Sequence, residues 1–364
     1  MHVAMGALSG VTGGPATYAL RLAEALAVRA DLRLTVLTDL PERFRRVSAD
    51  VVAVPGGRGL GRIPWQHVRL PRALRAVRPD LYHDTKNALP WGLRVPGVVT
   101  VHDLAHLRCP ETFGLASRLF LKASTADAVR RAGLIVVPSE STARDLKELL
   151  PASAGKVHVV PHGIAPHRAA PPEAVARMRA RVGERPFVLH VGTIQKRKNV
   201  DLLVKGVRLL RAEGFPHRAV LAGRRGWKCG AAFAEIARDD TAVWLGEVDA
   251  DEIAALFSVA DVFCSPSGYE GFGLTVAEAM AAGVPVVASR NSSLPEVVGG
   301  AGVLLDALTA EAIATALRPL LRERDARLAL SEAGVSRAAT FTWERAAELT
   351  VRAYAEALGN PRSR

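Results

Sequence analysis

The sequence contains few cysteines and no long apolar run, and each shortage excludes a class of protein. Its three cysteines, Cys109, Cys229 and Cys264, lie far apart without CxxC or CxxxC spacing, which argues against a disulfide framework and against a zinc site. No stretch of about 18 consecutive apolar residues occurs, so no segment is expected to span a membrane. No Lys or Arg precedes Arg21, so the basic flank of a signal peptide is missing. We therefore expect a protein of the reducing cytoplasm.

The length and composition predict two folded domains. At roughly 150 residues per domain, 364 residues are too many for one ordinary core. Apolar residues make up 49% of the chain and no low-complexity tract interrupts them, so both domains should bury a core. Disorder is expected only in the tail 359–364.

The basic charge of the chain fits an anionic partner, and a compositional habit of the source genome is the alternative. A formal charge of +12 attracts nucleic acid, anionic lipid or phosphorylated small molecules. No RRM, KH, zinc-finger or helix-turn-helix signature accompanies the charge, so no nucleic-acid partner is expected. The mixed basic and apolar residues of segment 58–78 fit either contact with an anionic membrane surface or a helix packed on its own sheet. Within this segment, Pro71 is predicted to start a helix after an extended stretch 64–70.

Short β-branched runs alternate with helical patterns along both halves of the chain, which predicts two parallel sheets flanked by helices. The first half contains a predicted helix at 18–28 and predicted strands at 32–37, 50–54, 97–101, 133–138 and 157–161. The second half contains predicted strands at 187–191, 218–222, 242–245, 262–265 and 285–289. A Pro- and Ala-rich linker, 165–173, separates the two series. We therefore predict two doubly wound domains, 1–168 and 169–340, followed by a C-terminal helix and tail 341–364.

The segment 270–274, Glu-Gly-Phe-Gly-Leu, follows the predicted strand 262–265 and opens a predicted helix at 275–282. Ligands of open parallel sheets bind beyond the carboxyl ends of the strands. A helix N-terminus at that place offers unpaired N–H groups and about half a positive charge, which suits a diphosphate. Glu270 lies before the helix and Glu278 inside it, so the two carboxylates can contact different parts of one ligand. A plain helix start with two solvated acids is the alternative.

The run from Glu270 to Val286 resembles the E-x7-E signature of glycosyltransferase family four, a large family of retaining enzymes with the GT-B fold. The resemblance continues through most of the chain, in motifs at 13–14, 101–103, 138–140, 160–163, 192–199, 245–246 and 294–299. It implies that Glu270 contacts hydroxyls of the donor sugar and that Glu278 holds the nucleotide ribose. It further implies donor contacts at Gly271, Phe272, Gly273 and Leu274.

The resemblance also implies the overall α/β architecture. In the GT-B fold, two doubly wound Rossmann-like domains face each other across a cleft and the last helix crosses back to the first domain. The resemblance therefore implies an N-terminal, acceptor-side Rossmann-like domain 1–168, a C-terminal nucleotide-sugar-binding Rossmann-like domain 169–340, and a crossover helix with tail 341–364. In this sequence Thr342 can cap that helix and Trp343 can anchor it.

A cationic loop, Gly-Thr-Ile-Gln-Lys-Arg-Lys-Asn at 192–199, follows the predicted strand 187–191. A departing nucleoside diphosphate needs its developing charge neutralised, and such cations can do this without a metal. By the same resemblance Arg197 and Lys198 bind the donor pyrophosphate. Thr193 stands where many members carry an arginine, and the loop resembles a branch with the pattern G-T-x-x-x-R-K-N, so Thr193 is a predicted donor contact. A solvated basic loop is the alternative.

Two residues of the first half complete the predicted site. The glycine loop 10–17 lies between the first strand and its helix and resembles the family's glycine loop beside the phosphates, with Gly14 as the donor contact. A simple helix entry is the alternative.

His102 follows the predicted strand 97–101, and the resemblance places it next to the donor sugar. A histidine there can accept a hydrogen bond from the sugar or ease charge at the reacting carbon.

No metal or other cofactor is expected. His102 and His106 have the spacing of one helical turn, but no third ligand is evident. The run Asp249-Ala-Asp251 matches the D-x-D motif by which another glycosyltransferase fold binds manganese. Because Glu252 follows Asp249 by three residues just before an apolar run, the sequence instead predicts a helix capping box.

Together these features predict a retaining hexosyltransferase with a nucleotide-diphosphate sugar as donor and a saccharide, lipid-linked or small-molecule acceptor. Resemblance to the mannosyltransferase-like branch makes GDP-mannose the first candidate donor, ahead of a UDP-sugar. A GT-B nucleotide-sugar epimerase or phosphorylase is an alternative of the same fold. A non-enzymatic basic protein that binds nucleic acid or a membrane is an alternative of another class. The enzyme itself is expected in the cytoplasm or peripherally at the inner membrane surface.

Overall fold

A computed structural model of the protein describes residues 1–7, 13–54 and 65–359. The predictions made for residues 10–12, 58–64 and 360–364 lie outside the described residues. The chain divides into two compact units. Unit 1 comprises Met1–Leu107, Gly114–Gly163 and the chain from Phe341 onward, and unit 2 comprises Arg108–Phe113 and Ile164–Thr340.

Unit 1 contains a parallel sheet of seven strands within the described part of the chain. The strands are β1 His2–Gly6, β2 Arg33–Thr38, β3 Asp50–Ala53, β4 Leu81–Asp84, β5 Gly97–Thr100, β6 Leu134–Val137 and β7 Val157–Val159. Their order is β3-β2-β1-β4-β5-β6-β7. Six described α-helices accompany them: Gly14–Ala27, Leu70–Val77, Ala105–Arg108, Leu115–Arg131, Glu140–Leu149 and Trp343–Gly359.

Unit 2 repeats this architecture with a parallel sheet of six strands. The strands are β8 Phe187–Val191, β9 Arg218–Ala222, β10 Ala242–Gly246, β11 Val262–Ser265, β12 Val286–Ser289 and β13 Val303–Leu305, in the order β10-β9-β8-β11-β12-β13. Its α-helices are Pro172–Val182, Val200–Ala212, Gly230–Ile236, Ala250–Val259, Leu274–Ala281, Leu294–Val298, Ala310–Arg322 and Arg324–Ala338. The predicted doubly wound α/β class is therefore confirmed in both units.

The strands form because their apolar residues can be buried on both faces of each sheet. All residues of β5, β6, β8, β11 and β12 are buried, as expected for parallel strands covered by helices on both sides. In unit 1 one apolar cluster includes Leu22 and Val36 and a second includes Leu70 and Val99. Among the described residues no helix combines the length and apolar character needed to cross a bilayer.

The prediction for the stretch before Pro71 is wrong in its described part. Residues Trp65–Arg69 form a π-helical turn that leads directly into the helix Leu70–Val77. Pro71 lies in the first turn of this helix, where proline is tolerated because the missing N–H has no intrahelical partner. Leu70 and Leu74 are buried in the core, which holds the turn in place. The described part of this basic segment is thus a surface helix packed on its own unit.

The C-terminal helix completes the core of unit 1, as the fold prediction requires. The hydroxyl of Thr342 accepts a hydrogen bond from the backbone N–H of Arg345 at 3.1 Å, so Thr342 is the predicted cap. Trp343 is buried in the same apolar cluster as β1 and the helix Gly14–Ala27. Apolar burial and a capped first turn therefore fix this helix to the first sheet.

A buried polar network ties the same helix to the sheet. The hydroxyl of Tyr354 lies 2.6 Å from Nδ1 of His83, and Nε2 of His83 lies 2.7 Å from the hydroxyl of Thr100. Thr100 is also bonded to the hydroxyl of Tyr18 at 3.0 Å. All four side chains are buried, so each polar atom depends on its neighbour for a partner.

Replacing Tyr354 with Phe should lower the free energy of unfolding of unit 1 by about 1–3 kcal/mol, because one ring nitrogen of His83 loses its buried partner. Urea denaturation measures the change. The matched control is Ala355→Ser on the exposed side of the same helix, which should change stability by less than about 0.5 kcal/mol. Equal effects of the two substitutions would contradict a stabilising role for the network.

Candidate active site

The order of the strands in unit 2 places two loops side by side at one point of the sheet. The order reverses between the neighbouring strands β8 and β11, and ligands of doubly wound sheets bind at such a switch point. The loop 192–199 follows β8 and the loop 266–273 follows β11. The cationic motif and the first glutamate of the E-x7-E motif therefore meet at the carboxyl edge of the sheet.

Backbone and amide hydrogen bonds fix the two loops to each other. The N–H of Gly268 donates to the carbonyl of Arg197 at 2.7 Å, and the side-chain amide of Asn199 donates to the carbonyl of Pro266 at 2.9 Å. The guanidinium of Arg197 also donates to the carbonyl of Tyr269. This bracing holds the cationic side chains in a defined place beside the acidic loop.

Glu270 forms ion pairs with both predicted phosphate-binding residues. Its carboxylate contacts the ammonium of Lys198 and lies 3.3 Å from a guanidinium nitrogen of Arg197. The three side chains are only 11–12% exposed, so solvent screens the charges weakly. Burial alone would raise the pKa of Glu270, but the charges of Lys198 and Arg197 lower that pKa to about 2. The carboxylate is therefore ionised at every physiological pH.

The backbone after Glu270 turns sharply into the helix Leu274–Ala281. Gly273 has φ of +100°, a conformation that favours glycine, and a Cβ atom there would lie 2.7 Å from a methyl carbon of Leu294, which would have to shift. Gly271 and Phe272 are buried and Leu274 is half-buried at the helix start. The N-terminus of the helix thus lies next to the ion-paired carboxylate.

Two serines, which sequence reasoning missed, hold the acidic loop. The hydroxyl of Ser292 accepts a hydrogen bond from the N–H of Glu270 at 2.8 Å. The hydroxyl of Ser293 lies 2.9 Å from the carbonyl of Glu270 and 2.8 Å from that of Phe272. Both serines follow β12, the neighbour of β11. Their position at the carboxyl end of a strand next to β11 is the signal in the sequence that could have identified them.

The remaining predicted donor residues lie on three different elements of the fold. Glu278 is a half-buried residue of the helix Leu274–Ala281, and Thr193 is half-buried in the loop after β8. Gly14 is the first residue of its helix in unit 1, and it follows Gly13 with φ of +101°. The roles of these three residues in binding a donor stay predictions.

His102 has both ring nitrogens bonded within unit 1. Nε2 lies 2.8 Å from the carbonyl of Thr85, which can only accept, so this nitrogen carries the proton. Nδ1 lies 3.3 Å from Nε2 of His162. Burial lowers the pKa of His102 to about 4, against the opposing effects of the Thr85 carbonyl and Asp103. The ring is neutral at pH 7, and its predicted contact with the donor sugar stays a prediction.

The capping box predicted at Asp249 is confirmed. Asp249 accepts from the N–H of Glu252 at 2.8 Å, and the Glu252 carboxylate accepts from the N–H of Asp249 at 3.0 Å.

His102 precedes the helix Ala105–Arg108 that contains His106, so the two histidines do not share a helix. No group of three or more His, Cys, Asp or Glu in the described ranges is arranged to hold a metal ion.

Known proteins resemble the chain along nearly its whole length. The profile described as Glycosyl transferases group 1 matches residues 175–337, and the profile described as Glycosyltransferase Family 4 matches residues 12–168. The O-antigen chain mannosyltransferase B of Escherichia coli is 30% identical over 78% of this chain and 76% of its own. A D-inositol 3-phosphate glycosyltransferase of Xylanimonas cellulosilytica is 30% identical over 96% of this chain and 93% of its own. This chain belongs to glycosyltransferase family four.

Solved structures agree with the GT-B fold of this family-four glycosyltransferase. Sucrose-phosphate synthase from Thermosynechococcus elongatus matches with a TM-score of 0.78 and 20% identity over 98% of this chain and 99% of its own. HepE of Anabaena, solved in complex with UDP and glucose, matches with a TM-score of 0.77 and 17% identity over 97% of this chain and 99% of its own. At these identities the likeness shows the fold.

Buried neutral histidines should make this glycosyltransferase less stable in mild acid. Burial lowers the pKa of His83 to about 3, and it lowers that of His102 to about 4. In the unfolded chain histidine takes up its proton near pH 6.5. Between pH 6.5 and these folded-state pKa values the unfolded state binds more protons, so the free energy of unfolding falls as the pH falls.

Replacing His83 with Gln should remove the proton that position 83 takes up when the chain unfolds in mild acid. The slope of unfolding free energy against pH between pH 5 and 6 should then decrease by about 1.4 kcal/mol per pH unit. Urea denaturation at several pH values measures the slope, whatever the absolute loss of stability. His167→Gln at an exposed position is the control. An unchanged slope in His83→Gln would show that His83 is not held neutral.

Proposed function

We propose that this glycosyltransferase transfers a hexosyl group from a nucleotide-diphosphate sugar, with retention of the anomeric configuration, and that unit 2 binds the donor. The observation that carries the proposal is the meeting of Arg197, Lys198 and Glu270 at the switch point of the sheet. Two cations and a helix N-terminus suit a diphosphate, and an ionised carboxylate suits sugar hydroxyls. Glu278, inside the helix, is the proposed ribose contact.

We propose that the reaction needs no metal ion. Negative charge develops on the departing nucleoside diphosphate, and positioned cations stabilise such charge when they are held before the reaction begins. Arg197 and Lys198 are held in this way by the braced loops and by Glu270. The resemblance to the retaining enzymes of the family supports retention, with the leaving phosphate assisting deprotonation of the acceptor.

GDP-mannose is the first candidate donor and a UDP-sugar the second. The name of the Escherichia coli relative, a mannosyltransferase, supports mannose. HepE of Anabaena, solved in complex with UDP and glucose and with UDP-glucose, supports the second candidate. For the acceptor, the names of the relatives support a saccharide chain or a small phosphorylated polyol.

A lipid-linked acceptor would agree with the basic surface of unit 1. Arg69, Arg72, Arg75 and Arg78 are exposed along one short helical segment, while Leu70 and Leu74 of the same segment are buried. We propose that these arginines contact an anionic membrane surface by charge alone, without insertion of the helix.

A panel of nucleotide sugars tests the proposed reaction. We expect transfer from GDP-mannose or a UDP-hexose to a saccharide acceptor, with an α-linked product from an α-linked donor in the NMR spectrum. Conversion of the donor sugar without an acceptor would instead indicate an epimerase, and turnover with inorganic phosphate would indicate a phosphorylase. The absence of turnover and of any thermal shift with GDP or UDP would favour a non-enzymatic binding protein.

Lys198→Ala should reduce kcat about 10²–10³-fold, because one preorganised charge at the leaving diphosphate is lost. Lys196→Ala is the matched control. It removes a lysine of the same short turn whose side chain is exposed, and it should leave kcat within about twofold. Steady-state transfer with the active donor of the panel measures both variants. Equal rates for Lys198→Ala and Lys196→Ala would overturn the assignment of the diphosphate site.

A further inference from the structure

A buried histidine, His190, lies at the end of β8 beside the ion-paired residues. Its side chain is 1% exposed, and Nδ1 lies 2.9 Å from the carbonyl of Cys264 on the neighbouring strand β11. A carbonyl only accepts, so Nδ1 carries the proton. Burial lowers the pKa of His190 to about 4; the charge of Lys198 adds to this effect, and the Cys264 carbonyl and Glu270 oppose it. At pH 7 the ring is therefore neutral and Nε2 is a hydrogen-bond acceptor.

Nε2 of His190 is buried and has no hydrogen-bond partner among the described residues. It faces the space above Gly192, the first residue of the cationic loop. A Cβ atom on Gly192 would lie 3.8 Å from Nε2 of His190 and 4.0 Å from Nζ of Lys198. Because Gly192 has no side chain, this carbon-sized space between the imidazole and the ammonium stays unfilled, and its φ of +149° disfavours any other residue.

The hydrogen-bond donors and acceptors around this space determine which ligand group can bind there. His190 offers an acceptor, Lys198 offers a donor, and the carboxylate of Glu270 that contacts Lys198 is a second acceptor. An oxygen of an ionised diphosphate carries no proton and would be repelled by the lone pair of Nε2. A hydroxyl group can donate to Nε2 and accept from the ammonium at the same time.

We propose that His190 is a further specificity-determining residue, whose Nε2 accepts a hydrogen bond from a hydroxyl group of the donor's sugar. The sequence motif from Glu270 to Glu278 does not include this residue. The inference rests on the proposed function, because it assigns a sugar contact within that donor site. A buried acceptor that meets no hydroxyl is costly, so His190 penalises a donor that lacks the matching group.

Two substitutions separate the two nitrogens of the ring. His190→Asn keeps a side-chain N–H near the position of Nδ1, within reach of the Cys264 carbonyl, but has no atom at the position of Nε2. His190→Gln reaches the position of Nε2 with an amide oxygen. We expect kcat/KM for the donor that the wild type uses, GDP-mannose or UDP-glucose, to fall about tenfold in His190→Asn and to stay within about threefold in His190→Gln.

The affinity for the bare nucleoside diphosphate distinguishes a sugar contact from a structural role. If His190 only supported the fold of the site, its substitution would also weaken this affinity. The affinity for GDP or UDP, measured by calorimetry, should stay within about twofold in both variants, because neither nucleotide carries the sugar. His217→Asn is the matched control, since His217 is also a buried histidine of unit 2 with an unpartnered ring nitrogen among the described residues. It should leave both kcat/KM and nucleotide affinity unchanged.

Monodeoxy donors test the contact without relying on the stability of a variant. The wild type should lose about tenfold in kcat/KM or more with one monodeoxy form of its donor. With that same donor, His190→Asn should lose no further activity, because the hydroxyl and the acceptor form one interaction.

Three results overturn the inference. An unchanged kcat/KM in His190→Asn excludes a contact with the sugar. A parallel loss of GDP or UDP affinity would show that His190 acts on the diphosphate side through Lys198. Wild-type tolerance of every monodeoxy donor would exclude any hydroxyl contact of this strength. If the wild type uses no nucleotide sugar at all, the proposed function is wrong, and the inference about His190 is then wrong as well.

Discussion

The ion-paired group of Glu270, Arg197 and Lys198 is the interaction on which the functional account of this protein depends. A carboxylate that is almost buried stays charged only when cations compensate for the loss of water, and here two cations lie against it. The same cations are the groups that a diphosphate would bind. In the proposed function, a donor would therefore compete with Glu270 for charges that are already positioned, with little reorganisation needed at the moment of reaction.

The fold explains why these side chains meet although more than seventy positions separate them in sequence. Reversal of strand order between β8 and β11 brings two strand-to-helix loops together, and the hydrogen bonds from Gly268 and Asn199 lock them. The serines after β12 add a third support. Each element of the site thus comes from the carboxyl end of a neighbouring strand, which is the property that doubly wound sheets share.

Much of this could be predicted from the sequence, and the exceptions have physical causes. The strands 187–191, 218–222 and 262–265 were predicted with their observed bounds because apolar residues predominate in each of them. β4 was missed because His83 and Asp84 are polar residues, whose burial depends on partners as distant as Tyr354. The sequence also could not predict the ion pair between Glu270 and Lys198 or the hydrogen bonds of the His102 ring nitrogens. These contacts depend on which loops the topology brings together.

Affinity for a nucleoside diphosphate in the absence of metal tests the central claim most directly. Calorimetric titration of the protein with GDP and with UDP, in EDTA and again with excess Mg²⁺ or Mn²⁺, compares the two conditions. If Arg197 and Lys198 neutralise the diphosphate, at least one nucleotide binds in EDTA and its dissociation constant changes by no more than about twofold when the metal is added. Binding that appears only with the divalent cation would contradict the account.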